Sequence, residues 1–274
     1  MADKRDLRAT RHHVQIHWPA YFGLYGALVV SVILVGLGVA FGWYALVPFA
    51  LALILVAAYL LASLFWTAYQ LHDGPGPDVM DLLISYSQVP PDARVVCIDL
   101  GLRLTAVRIA QRLTTGQVTV VDVFNPQSNT GAALRRARAR AWKPAADPRL
   151  NWVDGRIDLL PVPDRSISVV FMNQVLAEFW LPEERQRLLN EVRRVLIPEG
   201  RLLVAERVRS TSTHVLTRLP TSGYPSAAHW RALLTGTDFT IQREETLRGL
   251  IYCVRADRPS PTAGKQLELS LEYL

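Results

Sequence analysis

Residues 94–105 read RVVCIDLGLRLT: an apolar run closed by Asp99, a glycine at Gly101, and then apolar positions at helical spacing through Leu113. A short β-branched run that stops at an acid and a glycine specifies a buried strand. The change of period after it specifies a helix over Thr105–Leu113. The unit then recurs. Gln117–Val123 is a second such strand with a helix over Thr130–Ala141 behind it, and a short third strand sits at Asn151–Val153. Ile167–Met172 is a fourth, followed by a helix over Glu183–Leu196, and Arg201–Glu206 is a fifth. Phe239–Glu244 and Leu250–Arg255 have the spacing of an antiparallel edge hairpin. Strands alternating with helices predict an α/β fold of βαβ units with a parallel sheet.

Upstream the composition changes abruptly. No Asp, Glu, Lys or Arg occurs from Trp18 to Leu71. Two apolar segments, Pro19–Phe41 and Ala45–Ala68, each exceed the ~20 residues that cross ~30 Å of hydrocarbon. Trp18 and Tyr21, Trp43 and Tyr44, and Trp66 and Tyr69 flank them as interfacial aromatics do. The sequence therefore predicts a transmembrane hairpin ahead of the sheet. Lys4, Arg5, Arg8 and Arg11 precede the first span and the Gly42–Tyr44 turn is uncharged. By the positive-inside rule, both termini and the main domain are expected on the cytoplasmic side of a bacterial inner membrane. Gly36, Gly38 and Gly42, with Ala57, Ala58 and Ala62, offer a small-residue seam, either within the hairpin or toward another subunit. The segments are then a basic leader (1–17), the hairpin (18–71), a linker and leading helix (72–93) opening on the Asp73–Pro77 breaker cluster, the α/β domain (94–259) and a tail (260–274).

The net charge of +6 is not gathered into a basic stripe with interleaved aromatics, so nucleic acid is not an expected partner. Cys97 and Cys253 lie in strand-like runs and read as reduced core residues. No metal site is predicted, and His12-His13 reads as interfacial polarity. Arg135, Arg136, Arg138, Arg140 and Lys143 crowd one helix and its end, a solvated face or one turned to anionic lipid or an acidic partner. Arg201, Arg207, Arg209 and Arg218 add to that balance. From Leu267 the tail alternates apolar and polar, which suits a strand added to a sheet edge.

Four stretches in order resemble the class I S-adenosylmethionine-dependent methyltransferases, especially the branch acting on quinones and sterols. They are VVCIDLG at Val95–Gly101, VTVVD at Val118–Asp122, DGRIDLLPVPDRS at Asp154–Ser166 and EVRRVLIPEGRLLV at Glu191–Val204. The resemblance implies a Rossmann-like, doubly wound sheet of seven strands with a cofactor site over the carboxyl ends of the strands. Asp99 and Gly101 would open its loop, Asp122 would take the ribose hydroxyls, Asp154 would read the adenine amine, and Asn173 would follow strand four. An Asp at a strand end also suits a simple cap of the next turn.

Where the family has G-x-G-x-G, this chain reads Gly101-Leu-Arg103-Leu-Thr105. The Arg103 side chain is expected either to fill cofactor space or to swing to solvent, and Thr105 to crowd the helix approach. Ser168 stands at an acidic position of the family, and Glu199-Gly200 at its Gly-Gly turn. No catalytic residue is predicted. His214 and His229, after strand five, are either a general base on the substrate side or ordinary loop histidines. Glu178, Trp180 and Asn173 follow strand four, either where the substrate would stack or as ordinary core and rim residues. The expectation is a methyltransferase-like subunit without chemistry, held among other membrane subunits by its hairpin and tails, in a respiratory or photosynthetic complex. The alternative is an active S-adenosylmethionine-dependent enzyme on a quinone, lipid or pigment precursor dissolved in the bilayer.

Overall fold

A computed structural model describes residues 8–142, 144–209 and 223–260 and divides into two compact units, one of residues up to Gly76 and one starting at Pro77 that carries the sheet. Lys4, Arg5, Lys143, His214, Arg218 and the alternating stretch from Leu267 lie outside the described residues.

The first unit is helical: α1 (Arg8–Ile16), α2 (Trp18–Ala40) and α3 (Val47–His72). Pro19 and Pro48 sit in the first turns of α2 and α3, where a missing N–H costs no helical bond. The chain reverses at Gly42, whose φ of 71° suits glycine. Tyr21, Ser31 and Gly38 of α2 and Ala50, Ala57, Ser63, Thr67 and Ala68 of α3 are buried. The seam is small-residue packing: a methyl on Gly38 would stand 3.2 Å from Val47 Cγ2. Ser31 and Thr67 donate to the carbonyls of Ala27 and Ser63 one turn back, at 2.7 and 2.8 Å. Gly36, Gly42, Ala58 and Ala62 instead face outward. Gly36 lies two residues, roughly 200°, around the helix from Gly38, so the two cannot share a seam. The outer faces carry exposed Phe22, Val30, Ile33, Phe49 and Leu55. Both helices are long and apolar enough to cross a membrane, and only 11% of each apolar window is buried.

The second unit opens with α4 (Val79–Ser87) and continues as β1 (Arg94–Asp99), α5 (Leu104–Ala110), β2 (Gln117–Asp122), α6 (Ala132–Ala139) and β3 (Leu150–Asp154). Then come β4 (Ile167–Asn173), α7 (Pro182–Val195), β5 (Leu196–Arg207), α8 (Ala227–Gly236), β6 (Thr240–Leu247) and β7 (Ile251–Asp257). They form one seven-stranded sheet in the order β3-β2-β1-β4-β5-β7-β6, parallel except for antiparallel β7 and β6. The doubly wound sheet read from the sequence is the observed one. Helix α8 is the added element; Ser226 accepts the His229 N–H at its start, and Trp230 anchors it in the core. Cys97 and Cys253 are buried with free thiols, and burial pushes the Cys253 thiol up to about 12.

Two of the four motif stretches are bolted together. From α7, Arg194 donates to the carbonyls of Leu160 (3.0 Å) and Val162 (3.1 Å), and Glu191 accepts the Leu160 N–H at 2.9 Å. Arg194 and Glu191 also pair at 2.7 Å. This lock fixes the loop after β3, and with it one wall of the cleft above the sheet.

Candidate cofactor site

The carboxyl ends of the parallel strands line up their polar residues. Asp99 pairs in register with Asp122, and Asp122 with Asp154, while Met172, just before Asn173, pairs with Ile98. A strand order that runs outward both ways from β1 and β4 leaves a crevice at this switch point, where open α/β sheets bind ligands.

Asp99 is 5% exposed, and its carboxylate accepts the N–H groups of Leu100 (2.8 Å) and Arg103 (2.6 Å). Burial raises its pKa and those N–H groups oppose the rise. The bonds tie the loop into a tight arch in which Gly101 has φ 78° and Arg103 has φ 69°. Arg103 thus keeps the left-handed backbone that a glycine would supply. Its guanidinium lies 6.0 Å from the centre of the Trp152 ring, a half-exposed side chain on edge strand β3. The next altered position, Thr105, turns its hydroxyl to Asn173, whose Nδ2 donates at 3.2 Å. Asn173 Oδ1 is buried and has no hydrogen-bond partner among the described residues.

Asp122 accepts the Phe124 N–H at 3.1 Å and pairs with Arg138 of α6 at 2.6 Å. Arg138 Nη1 also donates to the Leu100 carbonyl at 2.9 Å, and its guanidinium lies 4.4 Å from the centre of the Phe124 ring. A Cβ added to Gly101 would stand 3.1 Å from an Asp122 oxygen and 2.0 Å from Arg138 Nη1. Arg138, read from sequence only as part of a basic face, is therefore the side chain lodged at the loop. The sequence signal for it is its position on the helix behind β2.

Beside these groups lies a cavity of about 450 Å³ lined by Phe124, Asn125, Gly155, Arg156, Phe179 and Arg187, among others. Asp154 is exposed and is not among its lining residues; the loop after it contributes Gly155 to Asp158. Arg156 is clamped by Asp158 at 2.7 Å.

Farther along the crevice, Glu206 of β5 is wholly buried and accepts the N–H groups of Val175 (2.8 Å), Leu176 (2.7 Å) and Ala177 (3.3 Å). Burial pushes its carboxyl up to about 7 against those donors, which favour the charged form. Sequence reading did not single it out, since a strand-end Glu carries no local signature. Burial likewise raises Glu178. His229 faces Arg185 Nη1 at 3.4 Å, so its Nε2 lone pair is turned to a cation, and burial lowers its pKa. Trp180 is 74% exposed at the rim. No group of three metal-binding side chains occurs among the described residues.

This sheet and this crevice define a class I methyltransferase-like domain. Residues 99–204 match the family described as a methyltransferase domain. The chain is 31% identical over 126 residues to the ubiquinone/menaquinone biosynthesis C-methyltransferase UbiE of Ruegeria sp. (strain TM1040), covering 46% of this chain and 47% of that one. It is 34% identical over 99 residues to the protein of the same description from Roseobacter denitrificans, 36% of each chain. The chain thus spans less than half the length of these curated relatives. Among solved structures, a SAM-dependent methyltransferase from Aquifex aeolicus superposes with TM-score 0.51 at 16% identity, covering 70% of this chain and 93% of that one. The [4+2]-cyclase SpnF superposes with TM-score 0.50 at 19% identity, covering 66% and 80%. A cyclase on this fold shows that the fold alone does not fix the chemistry.

S-adenosylmethionine fits the backbone: an arched loop with two left-handed residues, an acid one strand over, and an adjacent cavity. One side chain of this chain, Arg138, is lodged between Asp122 and the Gly101 backbone.

Proposed function

We propose that this protein is a membrane-anchored S-adenosylmethionine-dependent methyltransferase acting on an apolar acceptor dissolved in the bilayer, of the quinone type. The observation that carries the reading is the convergence of Gly101 and Asp122, with an Asp122 oxygen 3.1 Å from where a Gly101 side chain would begin. An acid about 20 residues beyond the loop glycine is the group that binds ribose hydroxyls in such sheets. The similarity to quinone C-methyltransferases supports the acceptor class. The two apolar helices support delivery at a membrane, and the basic leader supports an N-terminus and a domain on the cytoplasmic side of a bacterial inner membrane.

When bound, the cofactor supplies an electrophilic methyl on a sulfonium. Asp122 would hold the ribose and the 450 Å³ cavity beside Phe124 and Ile157 would receive the purine, while Asp99 keeps the loop arched so that the Gly101 backbone can approach. Glu206 fixes the turn over Val175–Ala177 at the acceptor end. Positioning and exclusion of water are what these residues contribute.

Arg138 on Asp122 favours a second reading, a domain that keeps the shape without the chemistry and serves as a structural subunit among other membrane proteins. Calorimetry of the detergent-solubilised chain with S-adenosylmethionine separates the two. The enzymatic reading expects micromolar binding that Asp122→Ala abolishes. Absence of binding to any form of the chain, with co-purification in a larger assembly, supports the structural one.

A further inference from the structure

We propose that Arg138 is an internal latch on the cofactor site: its guanidinium occupies the ribose position and has to leave before the cofactor enters. The inference rests on the reading of the crevice as a S-adenosylmethionine site. Both Asp122 oxygens are engaged, Oδ1 by the Phe124 N–H and Oδ2 by Arg138. The space that Gly101 leaves over its backbone is filled by Arg138 Nη1, which a single methyl there would meet at 2.0 Å. The same nitrogen takes the Leu100 carbonyl at 2.9 Å, and Phe124 lies under the guanidinium at 4.4 Å. Three partners from the ends of β1 and β2 therefore hold an arginine where two hydroxyls would otherwise be held.

The latch can release. Arg138 and Asp122 side chains are 34% and 20% exposed, so the pair is reached by solvent and is weakened by salt. The helix that carries Arg138 has only Leu134 buried, and its side chain reaches the loop on a flexible stem. Closure also puts a cation where a sulfonium compound binds, so the closed form selects against the cofactor by charge as well as by volume.

The test measures S-adenosylhomocysteine affinity by calorimetry on the full chain, comparing the wild type with Arg138→Gln, Arg138→Lys and Arg135→Gln, an exposed arginine of the same helix. The latch predicts that Arg138→Gln binds about tenfold more tightly than wild type, equivalent to ~1.4 kcal/mol. Arg138→Lys falls between, because lysine keeps the charge but not the planar fork, and Arg135→Gln matches wild type. Equal affinities for wild type and Arg138→Gln overturn the latch and leave the cofactor reading standing. An equal gain in Arg135→Gln assigns the effect to net charge and also overturns it. Absence of binding in all four chains overturns both the latch and the cofactor reading.

Discussion

The Arg103 N–H donates to the Asp99 carboxylate at 2.6 Å from a backbone with φ 69°, so an arginine stands in a conformation suited to glycine. Glu199 is likewise left-handed, with φ 61°; it lies not in a turn ahead of the strand but within β5, where the pairing with β4 shifts register between Leu196 and Arg201. Both positions are ones where the resembling family carries glycine. Asp99, through the Leu100 and Arg103 N–H groups, holds the loop in this path.

Replacing Arg103 by glycine is therefore expected to raise stability by up to about 1 kcal/mol, the cost of a left-handed non-glycine residue. The cation–π contact with Trp152, at 6.0 Å and half exposed, offsets a fraction of that. Chemical denaturation followed by tryptophan fluorescence reads the change; a loss of more than 1 kcal/mol would contradict the strain.

Arg194→Ala removes the clamp between α7 and the loop after β3. Two carbonyls and the Glu191 carboxylate lose their partner in a part-buried setting. The expected loss is about 2–4 kcal/mol, seen as a lowered denaturation midpoint with an unchanged slope.

Glu206 gives a pH signature. Its folded-state carboxyl lies at about 7, above the ordinary glutamate value of 4.5. The folded state thus holds a proton that the unfolded chain has released between those values. Stability from this group is full below about pH 4.5, falls as pH rises toward 7, and levels off above, a change on the order of 3 kcal/mol. Comparing wild type with Glu206→Gln isolates it. The difference between the two should shrink or reverse across pH 5–7, and a pH-independent difference would show that the three N–H donors keep Glu206 ionised.

Much of this architecture is legible in the sequence and some of it is not, for physical reasons. β1 and β2 follow from apolar runs closed by Asp99 and Asp122, since a buried parallel strand has to be apolar and its end polar, whereas edge strand β3 is mostly exposed and carries a weaker signal. The membrane-length helices follow from a charge-free stretch. Arg138 was visible only as one arginine among several, because its role depends on where α6 directs a long side chain. Arg103 is the conspicuous departure in the sequence, yet its side chain leans toward Trp152. Asp154 matches a motif acid, while the residues after it line the cavity. Gly36 and Gly38 look alike in a list of small residues, and only helical phase sends one inward.

The hairpin makes a topological prediction. A periplasm-active phosphatase fused at the turn near Trp43 should be active, and one fused after His72 inactive. The opposite pattern would reverse the orientation expected from the leader.

Methyl transfer itself is the most direct test of the proposed function. The full chain in lipid vesicles is incubated with S-adenosylmethionine labelled on its methyl group and a quinone lacking one ring methyl, and label is counted in the organic extract. Label is expected in the quinone fraction, lost in Asp122→Ala and increased in Arg138→Gln. Label absent from that fraction with wild type and with Arg138→Gln alike, in chains that bind S-adenosylhomocysteine, would contradict it.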